Sequence, residues 1–164
     1  MWPNIVIQPI GVVRSPHRSA TGTPIQPAYA PQVEGEVVVD AGFEAALLDI
    51  EGFERIWLVY WFDRARLFQP QVIPYRDNRP HGLFATRAPS RPNPIGLSVV
   101  RLLARENNVL RVRGIDILDG TPLVDIKPYV PDFDAFPDSK AGWLAEARED
   151  RREADERFHG PDRP

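Results

Sequence analysis

Residues 81–98 carry the side chains whose types and spacing are best suited to chemistry. Arg87 and Arg91 lie with His81 and Asn93 among three prolines and two glycines. Prolines fix the backbone φ angle and glycines permit angles that other residues avoid, so the segment cannot form a helix interior or a regular central strand. We predict a rigid, irregular loop whose donors are held at fixed angles. Loops of this kind commonly carry binding and catalytic residues.

Positive charge is concentrated around this loop, although the chain of 164 residues has a formal net charge of −3. Residues 76–91 contain four arginines and a single acid, Asp77. Guanidinium groups recognise carboxylates and phosphates through paired hydrogen bonds, so the segment predicts an anion or nucleotide site. The alternative is a solvated loop whose arginines pair with nearby acids. The proline and glycine content favours a site, because a site requires rigidity and a spacer does not.

A second set of ionisable residues, Asp116, Asp119 and Asp125, follows further along the chain. Asp119 begins an ordinary turn sequence, Asp-Gly-Thr-Pro. Asp116 alternates with apolar residues of a strand, so we expect its side chain to be partly buried and to have a partner. It is a candidate for binding ribose hydroxyls or for accepting a proton. A salt bridge with Lys127 is the alternative, purely structural interpretation.

Composition and spacing exclude several other kinds of site. Cysteine is absent, which removes disulfides and thiolate catalysis. The histidines His17, His81 and His159 show no metal-ligand spacing, so we predict no metal site. Neither a dinucleotide-binding glycine fingerprint nor a phosphate-binding loop is present in the sequence. With no signal peptide and no apolar run of membrane-spanning length, we expect a cytoplasmic protein without a membrane partner.

The elements that must position these residues are predicted to be short strands, since 18 prolines and 11 glycines disfavour a helical bundle. Apolar alternation and β-branched runs predict strands at 4–13, 33–39, 55–62, 97–106, 109–118 and 123–130. The run at 55–62 is expected to be buried on both faces. Asn107 and Asn108 form the predicted hairpin turn between the fourth and fifth strands.

Helices are predicted at two places. Residues 42–49 form a short helix with Asp40 as its N-cap, and the residues 140–158, rich in Ala, Glu and Arg, form a second. The fold class is therefore mainly β, a small antiparallel β-barrel with one or two short helices and a C-terminal helix. We expect 1–138 to be the barrel domain and 139–164 a C-terminal helical extension that is partly disordered.

The segment at 81–98, named the signature loop from here on, resembles the signature of the TsaA-like family, also called TrmO or YaeB. The resemblance is carried by His81-Gly-Leu-Phe-Ala-Thr-Arg87, followed by Arg91-Pro-Asn93-Pro-Ile-Gly96-Leu-Ser98. It extends to residues 11–16, 56–58 and 118–131, and it covers the chain from about residue 8 to about residue 136.

The resemblance implies a β-barrel methyltransferase that uses S-adenosylmethionine and works as a homodimer with the cofactor near the subunit interface. Characterised members methylate N6 of threonylcarbamoyl-adenosine beside the tRNA anticodon. Carried over by position, the implied cofactor contacts are Pro27, Ala28, Tyr29, Asp63, Arg64, Arg87, Pro89, Val99, Ile115, Asp116, Ile117 and Leu118. Backbone groups of Ile115 and Ile117 would bond the adenine, and Arg87 would hold the methionine carboxylate or the substrate.

The same resemblance implies substrate contacts at His81, Arg91 and Asn93. A base that accepts the amine proton is to be found among Asp116, Asp125 and Tyr129, and the sequence does not choose between them. The family often has His where this chain has Asp63, and its characterised bacterial members carry a further C-terminal domain. The alternative function is an S-adenosylmethionine-binding barrel that acts on a small molecule or regulates a protein partner. A non-enzymatic interaction module is a third.

Overall fold

The computed structural model describes residues 4–160, whose strands form a closed antiparallel barrel and a small separate sheet. The strands are β1 (Gly11–Arg14), β2 (Glu34–Val39), β3 (Arg55–Trp61), β4 (Gln71–Val72), β5 (His81–Gly82), β6 (Ile95–Glu106), β7 (Val109–Arg113) and β8 (Pro122–Pro128). Around the barrel the order is β1–β2–β7–β6–β3–β8, and β8 pairs with β1 to close it. Strands β4 and β5 pair only with each other in these residues.

Helical structure in residues 4–160 is short. One α-helix of a single turn, α1, spans Pro131–Asp134. The remaining helices are of the 3-10 type: Pro27–Tyr29, Ala41–Leu47, Ile50–Gly52, Leu83–Ala85, Gly142–Glu146 and Glu156–Phe158. The prediction of a mainly β fold built on a small antiparallel barrel is therefore confirmed.

Apolar residues fill the barrel because alternate side chains of each strand point inward. The fully enclosed members are Val13, Val37, Ile56, Leu58, Val100, Leu110, Val112, Ile115 and Leu123. A second, smaller cluster of Val72, Leu83, Ala88 and Phe158 lies outside the barrel. The second cluster joins the β4–β5 sheet to the signature loop and to the C-terminal part of the chain.

Several strand boundaries differ from the predicted ones. The first strand is β1 at Gly11–Arg14 instead of 4–13, because Pro9 has no amide hydrogen to donate and residues 4–9 remain exposed. Strand β3 alternates between buried and partly exposed residues, so the expectation of burial on both faces was wrong. Strand β6 begins at Ile95, two residues earlier than predicted, and the last part of the signature loop is therefore regular strand.

The hairpin between β6 and β7 is confirmed, with Asn107 in the left-handed region at φ 56°. The predicted helix at 42–49 is a 3-10 helix over Ala41–Leu47, and the Asp40 side chain makes no capping hydrogen bond there. Residues 140–158 form two short 3-10 helices and isolated bridges in place of one continuous helix. In this segment the backbone groups bond to distant parts of the chain, which replaces the hydrogen bonds of an α-helix.

Candidate active site

A cavity of about 830 Å³ lies at the end of the barrel where β3 and β7 finish and β6 begins. Antiparallel pairing brings the last residues of one strand beside the first residues of its neighbour, so these three chain segments meet there. The remaining walls come from residues 20–29, from the signature loop and from the segment 141–160, named the C-terminal strap from here on. The cavity thus joins the regular barrel to three irregular segments.

Three side chains are hydrogen-bonded at the barrel end of this cavity: Tyr60 and Asp116 line it, and Ser98 is buried between them. The Ser98 hydroxyl donates to Asp116 Oδ1 at 2.6 Å. The Tyr60 hydroxyl lies 3.0 Å from Ser98 Oγ. A serine has one hydroxyl hydrogen, and here Asp116 receives it, so Tyr60 is the donor in the other bond. The chain of donors therefore runs from Tyr60 through Ser98 and ends at the carboxyl group of Asp116.

Gly96 makes this arrangement possible. It lies opposite Tyr60 in the pairing of β3 with β6. A Cβ atom at Gly96 would lie 2.2 Å from Tyr60 Cε2, well inside van der Waals contact. Because Gly96 has no side chain, the Tyr60 ring crosses the neighbouring strand. Its hydroxyl then reaches Ser98, two residues further along the same face.

Burial controls the ionisation of the Asp116 carboxyl group. Protein atoms surround it, and this desolvation raises the pKa of Asp116 to about 7, against the lowering effects of the Ser98 hydrogen bond and the Arg87 charge. Desolvation likewise raises the pKa of Tyr60, and the negative charge of Asp116 adds to that effect. A carboxyl group with a pKa near neutrality can accept and release a proton under physiological conditions.

Arg64 contributes a cation to another wall of the cavity. Its Nη2 donates to the carbonyl of Asp119 at 2.8 Å and to Thr121 Oγ1 at 3.2 Å. Its Nε is buried and has no hydrogen-bond partner within residues 4–160; Asp63 Oδ1 lies 3.5 Å away, as a long ion pair. The Arg64 side chain is 20% exposed and lines the cavity, so its guanidinium brings positive charge to this wall, with Asp63 beside it as a counter-charge.

The arginines predicted to bind an anion have mixed roles. Arg91 Nη1 donates to the carbonyls of Thr86 and Ala88, at 3.0 and 3.2 Å, and so holds the signature loop closed on itself. Arg79 pairs with Asp77 at 3.3 Å. Arg87 remains mostly exposed and donates to Gln26 Oε1 at 2.7 Å, on the opposite wall.

Arg76 and the two arginines of β7 also have protein partners. Arg76 bonds the Tyr29 hydroxyl and the carbonyl of Glu149. Arg111 and Arg113 both pair with Glu34. A continuous free basic surface from residue 76 to residue 91 is therefore not what the structure shows.

The structure places nine of the predicted site residues in the cavity wall. They are Tyr29, Asp63, Arg64, Arg87, Pro89, Arg91, Asp116, Ile117 and Leu118. Eight others do not line it: Pro27, Ala28, His81, Asn93, Val99, Ile115, Asp125 and Tyr129.

Two of the three candidate bases lie on β8 or directly after it, away from the cavity. Asp125 pairs with Val59, on the partly exposed face of β3, and forms a salt bridge with Lys127 at 2.8 Å. The Tyr129 ring packs against Trp57, with centroids 5.8 Å apart. Asp116 is therefore the candidate base that the structure brings into the cavity, and Lys127 is not its partner.

His81 and Ile115 have structural contacts instead of cavity contacts. His81 Nε2 lies 2.9 Å from Asp77 Oδ2, and this hydrogen bond lowers the pKa of Asp77 to about 2. Ile115 is fully buried in the barrel core, and its carbonyl oxygen lies 3.0 Å from His17 Nε2. The carbonyl of Ile117, also predicted to bond a ligand, accepts the Ser15 hydroxyl at 2.6 Å.

Sequence reasoning missed Tyr60 and Ser98, and it missed the C-terminal strap. Inward alternation along β3 and β6 brings Tyr60 into the cavity wall and buries Ser98 between Tyr60 and Asp116, but the register of the two strands becomes known only from the folded pairing. Residues of the strap that line the cavity are Trp143, Leu144, Ala154, Phe158 and His159. Their contacts with residues more than 50 positions earlier leave no local sequence signal.

Residues 4–160 contain neither a metal-binding cluster nor a membrane-spanning helix. No group of three or more His, Cys, Asp or Glu side chains in this part of the chain is placed to hold a metal ion. No helix there is long and apolar enough to cross a membrane.

This chain is similar in sequence and in fold to several known proteins. A probable S-adenosyl-L-methionine-binding protein of Pyrococcus abyssi is 52% identical over 140 residues, which are 85% of this chain and 76% of that protein. The tRNA (adenine(37)-N6)-methyltransferase of Escherichia coli is 36% identical over 148 residues, which are 84% of this chain and 63% of that protein. This chain thus spans about three quarters of the first relative and less than two thirds of the second.

A crystal structure of TrmO from Pseudomonas aeruginosa superposes with a TM-score of 0.74 at 40% identity, covering 85% of this chain and 62% of that one. The family model of the tRNA-methyltransferase O N-terminal domain matches residues 12–135, which include the barrel and the signature loop. The chain belongs to the tRNA-methyltransferase O family.

Proposed function

We propose that the protein is an S-adenosylmethionine-dependent methyltransferase that acts on N6 of threonylcarbamoyl-adenosine next to the anticodon of tRNA. The observation that carries this proposal is the Asp116 carboxyl group in the cavity wall, bonded to Ser98 at 2.6 Å and with a pKa raised to about 7. The names of the relatives from Escherichia coli and Rattus norvegicus, both tRNA (adenine(37)-N6)-methyltransferases, support it.

The cavity fits S-adenosylmethionine in size and in chemistry. Its volume of about 830 Å³ lies within the range of small-molecule sites. The cofactor carries a carboxylate, and the guanidinium groups of Arg64 and Arg87 bring positive charge to the cavity wall. The cofactor also carries an adenosyl group, and the side chains of Tyr29, Ile117 and Leu118 offer an aromatic and apolar wall for it.

We assign the methionine carboxylate to Arg64 and Arg87, which line the cavity, and the adenosyl group to the wall formed by Tyr29, Ile117 and Leu118. Guanidinium groups bind carboxylates with paired, charge-assisted hydrogen bonds. When bound, S-adenosylmethionine supplies an electrophilic methyl group on a sulfonium sulfur. Holding donor and acceptor in line supplies much of the rate of such a displacement.

The role of Asp116 is to accept the proton that N6 loses as the new nitrogen–carbon bond forms. The carboxylate form is needed for this step, and the Ser98 hydroxyl stabilises that form by donating to Oδ1. Tyr60 donates to Ser98 and thereby fixes the direction of the Ser98 hydroxyl. We propose Ser98 and Tyr60 as positioning residues, since each acts through Asp116.

We also propose that the protein is a homodimer and that it works in the cytoplasm. Large apolar side chains on the rim of the cavity support self-association, with Phe84, Leu97 and Ile95 exposed by 78%, 48% and 39%. Exposed apolar patches commonly mark interfaces. Light scattering after size-exclusion chromatography measures the mass of the protein in solution. A monomeric mass at micromolar concentration would contradict the proposed homodimer.

Two measurements test the function. Calorimetric titration of the purified protein with S-adenosylmethionine should give a saturable binding isotherm. Incubation with that cofactor and with tRNA bearing threonylcarbamoyl-adenosine should add one methyl group to that nucleoside, as detected by mass spectrometry. Absence of binding contradicts the whole proposal, whereas binding without methylation contradicts the tRNA substrate alone.

A second candidate is an S-adenosylmethionine-binding protein that acts on a small molecule or regulates a protein partner. The relative from Pyrococcus abyssi, named for binding of that cofactor, favours it. The protein pairing of Arg76, Arg79, Arg111 and Arg113 also favours it, because these guanidinium groups are already engaged. Binding of the cofactor together with unmodified tRNA in the assay above is the outcome expected for this candidate.

A further inference from the structure

The C-terminal strap, residues 141–160, lies beyond the segment that the family model matches, yet it forms one wall of the cavity. Its middle is held to residues 20–29 by backbone bonds, from Ile25 N to Arg152 O at 2.9 Å and from Ala154 N to Thr23 O at 2.7 Å. Its end bonds the segment after β3, where Gly160 N donates to Arg64 O at 2.9 Å. The strap therefore connects two walls that are far apart in sequence.

Trp143 anchors the first end of the strap on the signature loop. Its ring stacks on His81, with centroids 4.4 Å apart and planes 24° from parallel. Its Nε1 donates to the carbonyl of Ala85 at 2.8 Å. Because His81 is itself bonded to Asp77, the ring under Trp143 is fixed. Through Trp143 the strap also contacts the signature loop, in addition to residues 20–29 and the segment after β3.

Phe158 anchors the second end. It is buried, at 5% exposure, among Val72, Leu83 and Ala88. The ring of Tyr75 meets it edge-on, with centroids 5.2 Å apart. A buried aromatic ring stabilises such a contact by removing a large apolar area from water, so the strap is attached at both ends.

The strap also positions a residue of the adenosyl wall. The guanidinium of Arg152 lies over the Tyr29 ring at 5.5 Å from its centroid, and that of Arg76 lies at 5.9 Å. Arg76 further bonds the Tyr29 hydroxyl and the carbonyl of Glu149 in the strap. Two cations thus hold one aromatic ring, and one of them belongs to the strap itself.

We infer that the C-terminal strap is a working part of the ligand site in this chain, in which Trp143 and Leu144 form a wall for the adenosyl group of S-adenosylmethionine and Arg152 orients Tyr29. The inference rests on the proposed function. It assigns binding residues outside the barrel and outside the signature loop. The strap raises the affinity for the cofactor by enclosing it and by reducing the motion of Tyr29, since a pre-organised site loses less entropy on binding.

Calorimetry on four full-length variants tests this inference. Trp143→Ala should weaken S-adenosylmethionine binding about tenfold, as expected for loss of a large aromatic side chain from the wall of a ligand site, and Trp143→Phe should restore most of the loss. Leu144→Ala tests the wall without an anchor, because that side chain is 47% exposed, and should weaken binding about threefold. Phe136→Ala is the matched control, an aromatic residue 71% exposed that does not line the cavity. It should bind as the unaltered protein does.

Hydrogen exchange supplies a readout independent of the calorimetry. Cofactor binding to the unaltered protein should slow exchange at the amides of Ile25 and Ala154, which bond across the strap. If the unaltered protein binds the cofactor while Trp143→Ala and Leu144→Ala bind equally well, the inference is overturned and the proposed function stands. If the unaltered protein does not bind the cofactor, that result contradicts both the inference about the strap and the proposed function. Equal losses in Phe136→Ala would also overturn the assignment to the strap.

Discussion

The barrel end of the cavity and the C-terminal strap opposite are built in different ways. Tyr60, Ser98 and Gly96 lie on paired strands of a closed barrel, so their relative positions are fixed by the ladder that joins β3 to β6. The strap has no ladder; it is held by two aromatic anchors and scattered backbone bonds. The difference indicates that the barrel sets the geometry needed for proton transfer, whereas the strap sets how firmly a ligand is held.

The strongest test of this division is Asp116→Asn. The amide keeps the size of the carboxyl group and can still accept the Ser98 hydroxyl, but it cannot take a proton from the substrate. We expect the rate constant for methylation to fall by about a hundredfold or more, in the range usual for loss of a general base. Affinity for S-adenosylmethionine should change by less than about threefold. Single-turnover kinetics and calorimetry measure the two quantities; a variant with unaltered turnover contradicts the role of Asp116.

Gly96→Ala should damage the barrel end without touching the strap. The new Cβ atom would lie 2.2 Å from the Tyr60 ring, which is buried and has little room to move. Overpacking of this kind costs about 1–3 kcal/mol of the free energy of unfolding, measurable by denaturant titration. Gly82→Ala is the control, since a Cβ atom there meets nothing within 4 Å and its φ is −55°. Equal destabilisation in both variants would contradict the Tyr60–Gly96 contact.

Local patterns in the sequence predict Asp116 and Arg87 as site residues, and the family resemblance adds Arg64. Asp116 was found because a lone carboxylate in an apolar strand pattern needs a partner, and Arg87 because it lies in a proline-rich, basic loop. The partner predicted for Asp116 was Lys127, yet the actual partner is Ser98, 18 residues earlier. Choosing between them needs the register of β6 and the path of the chain after β7, which local patterns do not determine.

Local sequence patterns predict the barrel, but they do not predict the structure of the strap. Alternating apolar residues and the Asn107–Asn108 turn act locally, so they predict β6 and the hairpin well, whereas β7 ends at Arg113 instead of the predicted residue 118. In the strap, the predicted helix is absent because residues such as Arg152 and Ala154 give their backbone groups to partners about 130 positions earlier. Tertiary contacts override helix propensity there, since propensity contributes only tenths of a kcal/mol per residue.

Asp116 should also affect stability, with a dependence on pH that the strap does not share. The pKa of Asp116 is about 7 in the folded protein against an ordinary value of 3.8, so between these pH values the folded state holds a proton that the unfolded state has released. The free energy of unfolding therefore falls as pH rises through this window. Asp116→Asn removes the effect, so the substitution should change the free energy of unfolding more favourably at pH 8 than at pH 5, by about 2–3 kcal/mol. An equal effect of the substitution at both pH values would contradict the buried ionisation.

The smallest expected effects test whether Ser98 and Tyr60 act through Asp116. The Ser98 hydrogen bond lowers the pKa of Asp116, so its removal in Ser98→Ala raises that pKa and moves the acidic limb of the rate–pH profile to higher pH. One hydrogen bond corresponds to a shift of about half to one unit. Tyr60→Phe should shift the limb in the same direction and by less, because Tyr60 reaches the carboxyl group only through Ser98.

The matched control for this pair is Ser90→Ala. Ser90 is as deeply buried as Ser98, but its hydroxyl has no hydrogen-bond partner in residues 4–160, whereas that of Ser98 bonds Asp116. Its removal should leave the acidic limb in place. A merely structural role for Ser98 would lower the rate equally at all pH values, whereas a positioning role restores nearly full activity at pH 9, where Asp116 is ionised in every variant. The shape of the rate–pH profile, more than the maximum rate, therefore decides whether Tyr60 and Ser98 act on the reaction through Asp116.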